Sequence, residues 1–149
     1  MKDQQFGEYT LTNKRRRFRL QQVTGLLQLT YWAKDRDLPT VRLSMRNASL
    51  YGVLNAQGKL VGFMRIITDH ATMYYLADVV VAESERGKGL GLAMVRFALS
   101  DAKVCRGKGL LLTQTAAGLY EKVGFYKVGE RLMIRDPLTR YPTGGQSAR

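Results

Sequence analysis

Apolar and polar positions along this chain repeat with two different periods, and the change of period divides it into elements. Between residues 17 and 32 the spacing predicts a short strand and then a helix, with Val23, Leu26, Leu27 and Tyr31 at helical intervals. Pro39 suits the first turn of a second short helix reaching about Asn47, because the N–H it lacks would be unpaired there anyway. The period then shortens to that of strands. Residues 50–54, 59–68 and 73–81 read as three strands joined by turns at 55–58 and 69–72. Connections this short predict an antiparallel meander. Residues 89–103 return to helical spacing, with Arg96, Ser100 and Lys103 as the polar stripe. A buried strand at 110–113, a short helix at 116–122 ended by Gly124, and closing strands at 125–128 and 132–135 complete the order. The segment from the third meander strand to 110–113 has the length of a right-handed parallel crossover. The fold class is therefore α/β (α+β), with one mixed sheet.

Composition narrows the class. The chain has 149 residues, 45% hydrophobic and 24% charged, the balance of one soluble globular domain. Residues 1–136 are expected to form that domain. The stretch 137–149, with few apolar residues and the pair Gly144-Gly145, is expected to be a flexible tail. No run approaches the roughly 18 to 20 apolar residues of a membrane span. The first residues lack the apolar stretch of a signal peptide, so the expected address is cytoplasmic.

The single cysteine, Cys105, has no partner for an internal disulfide, and the single histidine, His70, leaves no zinc spacing. Cys105 reads as a partly buried structural thiol and His70 as a solvated turn residue. Lys and Arg total 24 against 12 Asp and Glu, a net charge of +12 that should attract polyanions: nucleic acid, acidic proteins or a phosphorylated cofactor. The cluster Lys14-Arg15-Arg16-Arg17, with Arg19 close behind, reads equally well as a solvated basic edge on an N-terminal strand.

The most informative stretch is Arg86-Gly87-Lys88-Gly89-Leu90-Gly91, which follows the apolar run Val79-Val80-Val81. A buried strand enters a turn with three alternate glycines, and the turn opens a helix. Glycines let backbone approach a ligand closely, and the first amides of a helix are unpaired at the positive end of its dipole. That combination binds phosphate, and Arg86 and Lys88 add charge beside it. The dinucleotide fingerprint wants glycine or alanine where Leu92 stands, and it should follow the first strand of a parallel sheet. A Walker A loop needs Lys-Ser or Lys-Thr, which Gly91-Leu92 does not supply.

The same residues resemble the acetyl-coenzyme A signature of the GNAT superfamily of N-acetyltransferases, Arg/Gln-x-x-Gly-x-Gly/Ala. Downstream, the segment from Ala116 through Leu119-Tyr120 to Gly124-Phe125 is similar to that family's second common motif. The order of elements from about 17 to 135 is similar too, which implies a GNAT-like, mostly antiparallel sheet of about six to seven strands flanked by four helices. The resemblance implies an acetyl-CoA-dependent N-acetyltransferase that uses no metal. Its acceptor would be a primary amine of a small molecule or protein, attacking directly in a ternary complex. It also implies roles. Amides of Gly87, Lys88, Gly89, Leu90 and Gly91, with Arg86, would hold the pyrophosphate; Val79, Val80 and Val81 would pair with the pantetheine arm; a splay between strands 73–81 and 110–113 would admit that arm. Closing strands of this fold often pair between subunits, so a homodimer is open.

Tyr120 matches the family's tyrosine, and its phenol would protonate the departing thiolate; the alternative is an aromatic that only holds the short helix to the sheet. For the general base the candidate is Asp78, which a regular strand would place on one face with Leu76 and Val80, partly desolvated. An ion pair of Asp78 with Arg65, diagonal across the hairpin, is the competing reading. Many relatives have glutamate where this chain has Ala77, which leaves a water chain as another route for the proton. Tyr31 and Trp32 either line the acceptor pocket or pack on the sheet. The alternative function is a basic module of the same fold that binds nucleic acid or an acidic partner without catalysis; the intact glycine loop and Tyr120 favour the enzyme.

Overall fold

A computed structural model of the chain describes residues 1–129 and Met133. Among the described residues, six strands form one sheet in the order of the sequence: β1 (Gln4–Phe6), β2 (Tyr9–Thr12), β3 (Ser49–Leu54), β4 (Leu60–Thr68), β5 (Met73–Val81) and β6 (Lys108–Leu110). All neighbours are antiparallel except β5 and β6, which are parallel. The parallel pair needs a crossover, and helix α3 (Leu90–Leu99) supplies it. Helices α1 (Leu20–Leu27) and α2 (Leu38–Arg46) precede the meander, and α4 (Ala117–Glu121) follows β6. The mixed, mostly antiparallel sheet with four helices is the architecture expected.

The sheet separates two apolar layers. On one side α3 places Leu90, Met94, Val95, Phe97 and Ala98 against Leu11, Tyr51, Val53, Met64, Ile66 and Leu76. On the other, Val23, Leu26 and Leu27 of α1 and Val41 and Met45 of α2 cover Leu50, Leu54, Leu60, Phe63 and Val80. These helices form where apolar residues recur every three or four positions. The N-terminus of α2 is capped by the Asp37 carboxylate, which accepts from the Thr40 amide at 2.9 Å, with Pro39 in the first turn.

Several boundaries differ from those the pattern predicts. No strand lies between residue 17 and α1. Arg15–Arg17 instead forms a 3-10 turn, in which the Arg15 guanidinium donates to the carbonyls of Met45 and Ala48 at 3.0 and 2.9 Å. Part of the basic cluster therefore ties this turn to the end of α2. The N-terminal strands lie earlier, as a hairpin turning at Gly7, whose φ is +58°. Helix α3 ends at Leu99, not near 103, and Asp101 then accepts the amides of Val104 and Cys105 through its carbonyl. Strand β6 occupies Lys108–Leu110 and is not buried, in contrast to the buried strand expected at 110–113. Residues 125–128 are not a strand. The strand expected at 132–135 and the tail at 137–149 lie outside the described residues. Among the described residues, no helix is long and apolar enough to cross a membrane.

Candidate active site

Two irregularities of β5 create the site. The first lies on its β4 side, where the register steps from Arg65↔Ala77 to Phe63↔Val80, so that Asp78 and Val79 stand opposite Met64 alone. This is a β-bulge, and Asp78 takes φ +57° to make it. The bulge switches the parity of the strand. Leu76 points into the α3 layer while Val80 points into the α1/α2 layer, so the two do not share a face as a regular strand would require. The second irregularity lies on the β6 side. Pairing stops at Tyr75↔Leu110, and from Leu76 onward that edge of β5 has no strand partner among the described residues. The chain diverges there, and the expected splay is present.

The splay opens a cavity of about 560 Å³ between the 76–79 segment of β5 and residues 112–116. Tyr31, Trp32, Arg36, Arg65, Asp78 and Tyr120 line it as well. Tyr31 and Trp32 are exposed at its rim and meet edge to face, ring centroids 5.0 Å apart. A second cavity of about 390 Å³ lies against the glycine turn, lined by Val81, Arg86, Gly87, Gly89, Leu90 and Gly91, with Leu119 and Lys122 from α4. The two cavities follow one another along β5, one lined by Val79 and the other by Val81, and α4 contributes Tyr120 to the first and Leu119 to the second.

The turn is built as its glycines require. Gly87 and Gly89 have φ of +78° and +77°, and Gly89 is the N-cap of α3. Nothing lies within 4 Å of where a Cβ at Gly87 would sit, so the loop presents bare backbone to its cavity. Gly91 serves packing: a Cβ there would approach the Leu119 side chain to 3.3 Å, so its absence lets α4 close on α3. The open cradle of main-chain amides at a helix start fits a diphosphate.

The charges of the loop are arranged differently from the simple expectation. Lys88 donates to Glu85 Oε2 at 2.6 Å and to the Tyr9 hydroxyl at 2.9 Å, and that hydroxyl donates to the same Glu85 oxygen at 2.7 Å. The bond from Lys88 holds the Glu85 carboxyl below its ordinary value, and Glu85 in turn holds the Lys88 ammonium above its own. Lys88 is thus a latch between the loop and β2, its charge locally compensated. Arg86 bends back, its Nε 3.3 Å from the Val81 carbonyl. Lys122, which the motif reading passed over, faces the loop cavity from the end of α4.

Tyr120 is buried, its ring packed edge to face with Phe125 at 6.2 Å. Burial raises the phenol above its ordinary value, and Tyr75 nearby adds to the rise, so it is held protonated. Its hydroxyl has no hydrogen-bond partner among the described residues. Asp78 is also buried, and the ion-pair reading describes its surroundings: Arg65 Nε donates to Oδ2 at 2.5 Å. Arg36, which sequence spacing did not single out, donates from Nη1 to that same oxygen at 2.8 Å. His70 sits in an exposed turn with Nδ1 2.9 Å from the Lys103 carbonyl. Cys105 is half-buried, its Sγ 3.3 Å from the Ala98 carbonyl, and burial pushes the thiol up to about 11, where it is a poor nucleophile.

The comparisons with known proteins agree with this geometry. The chain is 27% identical over 125 residues to "Uncharacterized N-acetyltransferase ycf52" of Pyropia yezoensis, an alignment covering 80% of this chain and 70% of that one. Among solved structures, a candidate acetyltransferase assigned to the GNAT family from Xanthomonas campestris superposes with a TM-score of 0.81 at 27% identity, covering 89% of this chain and 95% of the other. An acetyltransferase from Trypanosoma brucei gives a TM-score of 0.63 at 25% identity, over 86% and 99% of the two chains. The family model described as "Acetyltransferase (GNAT) domain" matches residues 47–127, which contain the meander, the glycine turn and α4, and the chain belongs to the GNAT family of acetyltransferases.

Proposed function

We propose that the chain is an acetyl-coenzyme A-dependent N-acetyltransferase that transfers the acetyl group to a primary amine by direct attack within a ternary complex. The observation that carries this reading is that the two cavities lie in succession along β5, at Val81 and at Val79, with α4 bordering both. A ligand with its diphosphate on the glycine turn has a path along the unpaired edge of residues 79–81 to the acceptor cavity beside Tyr120. Acetyl-coenzyme A supplies an activated acyl carbon: the amine nitrogen bonds to it, the carbon–sulfur bond breaks, and the thiolate leaves.

The residues of the chain have distinct tasks. The main chain at Gly87, Lys88, Gly89, Leu90 and Gly91 binds the diphosphate, with Arg86 and Lys122 adding charge. Val79, Val80 and Val81 offer main-chain groups to the extended arm as a neighbouring strand would. The bulge releases main-chain groups at Asp78 and Val79 from the β4 ladder, and an N–H freed there stabilises the charge developing on the carbonyl oxygen. Tyr120, held protonated by burial, gives its proton to the departing sulfur and regains one from the solvent. The amine must shed one proton. Asp78 Oδ2 already accepts from two guanidiniums, so the proton leaves through water to the solvent.

Calorimetry and thermal unfolding test the reading. Acetyl-coenzyme A at about a hundred times its dissociation constant should add roughly 2.7 kcal/mol to stability, and thiol should be released when an acceptor amine is supplied. Absence of both heat and thermal shift refutes it. Salt-sensitive retention of nucleic acid in their place would favour the basic binding module.

A further inference from the structure

We infer that the acceptor amine also carries an anionic group, a carboxylate or a phosphate, and that Arg36 and Arg65 bind it; this rests on the acyl-transfer reading of the same cavity. Among the described residues lining the cavity, Asp78 is the sole acidic one, against two arginines. The carboxylate is already committed. Both guanidiniums donate to its Oδ2, and its side chain is only 2% exposed. An ammonium group therefore finds no free carboxylate here, while one positive charge is left over.

The donors that remain belong to two residues lining the same cavity. A guanidinium has five N–H bonds. Arg36 uses Nη1 and Arg65 uses Nε on Asp78, and neither makes another side-chain hydrogen bond among the described residues. The Arg65 side chain is 13% exposed and that of Arg36 28%, so their spare donors line a partly dehydrated pocket rather than open solvent. In such a setting, guanidinium bonds to an oxyanion are shorter and stronger than neutral ones, and its planar fork matches two oxygens at once. Asp78 holds the two forks near each other, which reduces the ordering cost of binding. A diamine would instead bring a second positive charge to a pocket that already has an excess. The arginines act on affinity and orientation, and the bond-making step stays with β5 and Tyr120.

The test uses the full chain and separates this inference from the reading it rests on. Calorimetry with acetyl-coenzyme A is run first on the wild type and on Arg36→Gln. No heat with the wild type fails the acetyltransferase reading, and the inference falls with it. Thiol release is then followed across matched acceptors: amino acids as free acids and as carboxamides, aliphatic diamines, and phosphoethanolamine against ethanolamine. The expected result is release with an acid or with the phosphate, at a kcat/KM at least about 10-fold above that of its neutral partner; the responding arm identifies the anion. Arg36→Gln should raise the KM of the anionic acceptor by about 10- to 100-fold, the worth of charged hydrogen bonds, with kcat little changed. Arg36→Lys should recover part of the loss. Neutral or cationic partners turned over as well as the anionic ones overturn the inference, as does an unaltered KM in Arg36→Gln. Release with none of the anionic acceptors while acetyl-coenzyme A still binds overturns it too.

Discussion

Replacing Gly89 by valine asks whether the left-handed turn at the start of α3 is there for a ligand. Gly89 has φ +77°, and a Cβ added to it would meet only the Phe6 ring, at 3.8 Å, an ordinary contact. The cost to the fold is therefore the backbone's alone, about 1–2 kcal/mol for a side chain held in this region. At roughly 2–4 °C per kcal/mol for a chain of this size, Tm should fall by about 2–8 °C. Gly58 is the matched control: its φ is +73°, nothing lies within 4 Å of its Cβ position, and it sits in the hairpin turn between β3 and β4. Gly58→Val should lose a similar amount of stability. The two variants must differ in coenzyme A binding. A β-branched residue strains position 89 and shifts the next amides from the places a diphosphate needs. Each charge-assisted bond lost is worth about 1.5–3 kcal/mol, so the dissociation constant should rise by at least about 10-fold in Gly89→Val. Gly58→Val should bind as the wild type does. Titration calorimetry on both variants gives the comparison. If they bind alike, the turn is only a helix start and the reasoning fails.

Tyr120→Phe keeps the ring against Phe125 and removes the proton, so turnover should fall by about 10- to 100-fold with coenzyme A affinity unchanged. In the wild type, burial raises this phenol above its ordinary value, so activity that needs it protonated should persist to about pH 10 and decline only above it; an alkaline limb well below that pH would point to another acid. Asp78→Asn strips the partner from two guanidiniums and should destabilise the fold by several kcal/mol, about 3–5 for a broken buried pair, as chemical denaturation would measure. Its acidic pH–rate limb should match that of the wild type, and loss of that limb would make Asp78 the base. Asp69 accepts from the Thr72 hydroxyl and from the amides of Ala71, Thr72 and Met73, which together hold its carboxyl well below the usual range. A lowered folded value stabilises above the unfolded pKa of about 3.9 and is lost as pH falls below it. Tm should thus decline below about pH 4, and Asp69→Asn should flatten that decline.

The parts of the fold legible in the sequence are those in which burial writes a period. β3, β4 and β5 alternate between two apolar layers, and their turns carry Asn55-Ala56-Gln57-Gly58 and Asp69-His70, so their bounds emerge within a residue or so. The N-terminal hairpin leaves no such trace, because every residue of β1 is exposed. Pairing with β2, which no local pattern encodes, holds it in place. The glycine turn is legible because positive φ demands glycine. The bulge at Asp78 is hidden, because Leu76 through Val81 reads as an unbroken strand and the step in register arises only against β4. Arg36 is hidden for a related reason: it reaches Asp78 across 42 residues of chain, and only the docking of α1 on the sheet brings the loop that follows it to β5. Lys88 shows a contact of the same hidden kind. Its position in the motif suggests a ligand contact, while Glu85 and Tyr9 claim its ammonium.

The central claim is that main-chain N–H groups of the 87–91 turn grip a diphosphate. The amide proton and nitrogen resonances of Gly87, Gly89 and Gly91, followed by NMR during titration with coenzyme A, report on it directly. The account predicts that these three shift early and saturate together, while Gly58, whose turn contributes no residue to the lining of the cavity, stays in place. Resonances of the turn that do not move at saturating coenzyme A would contradict it.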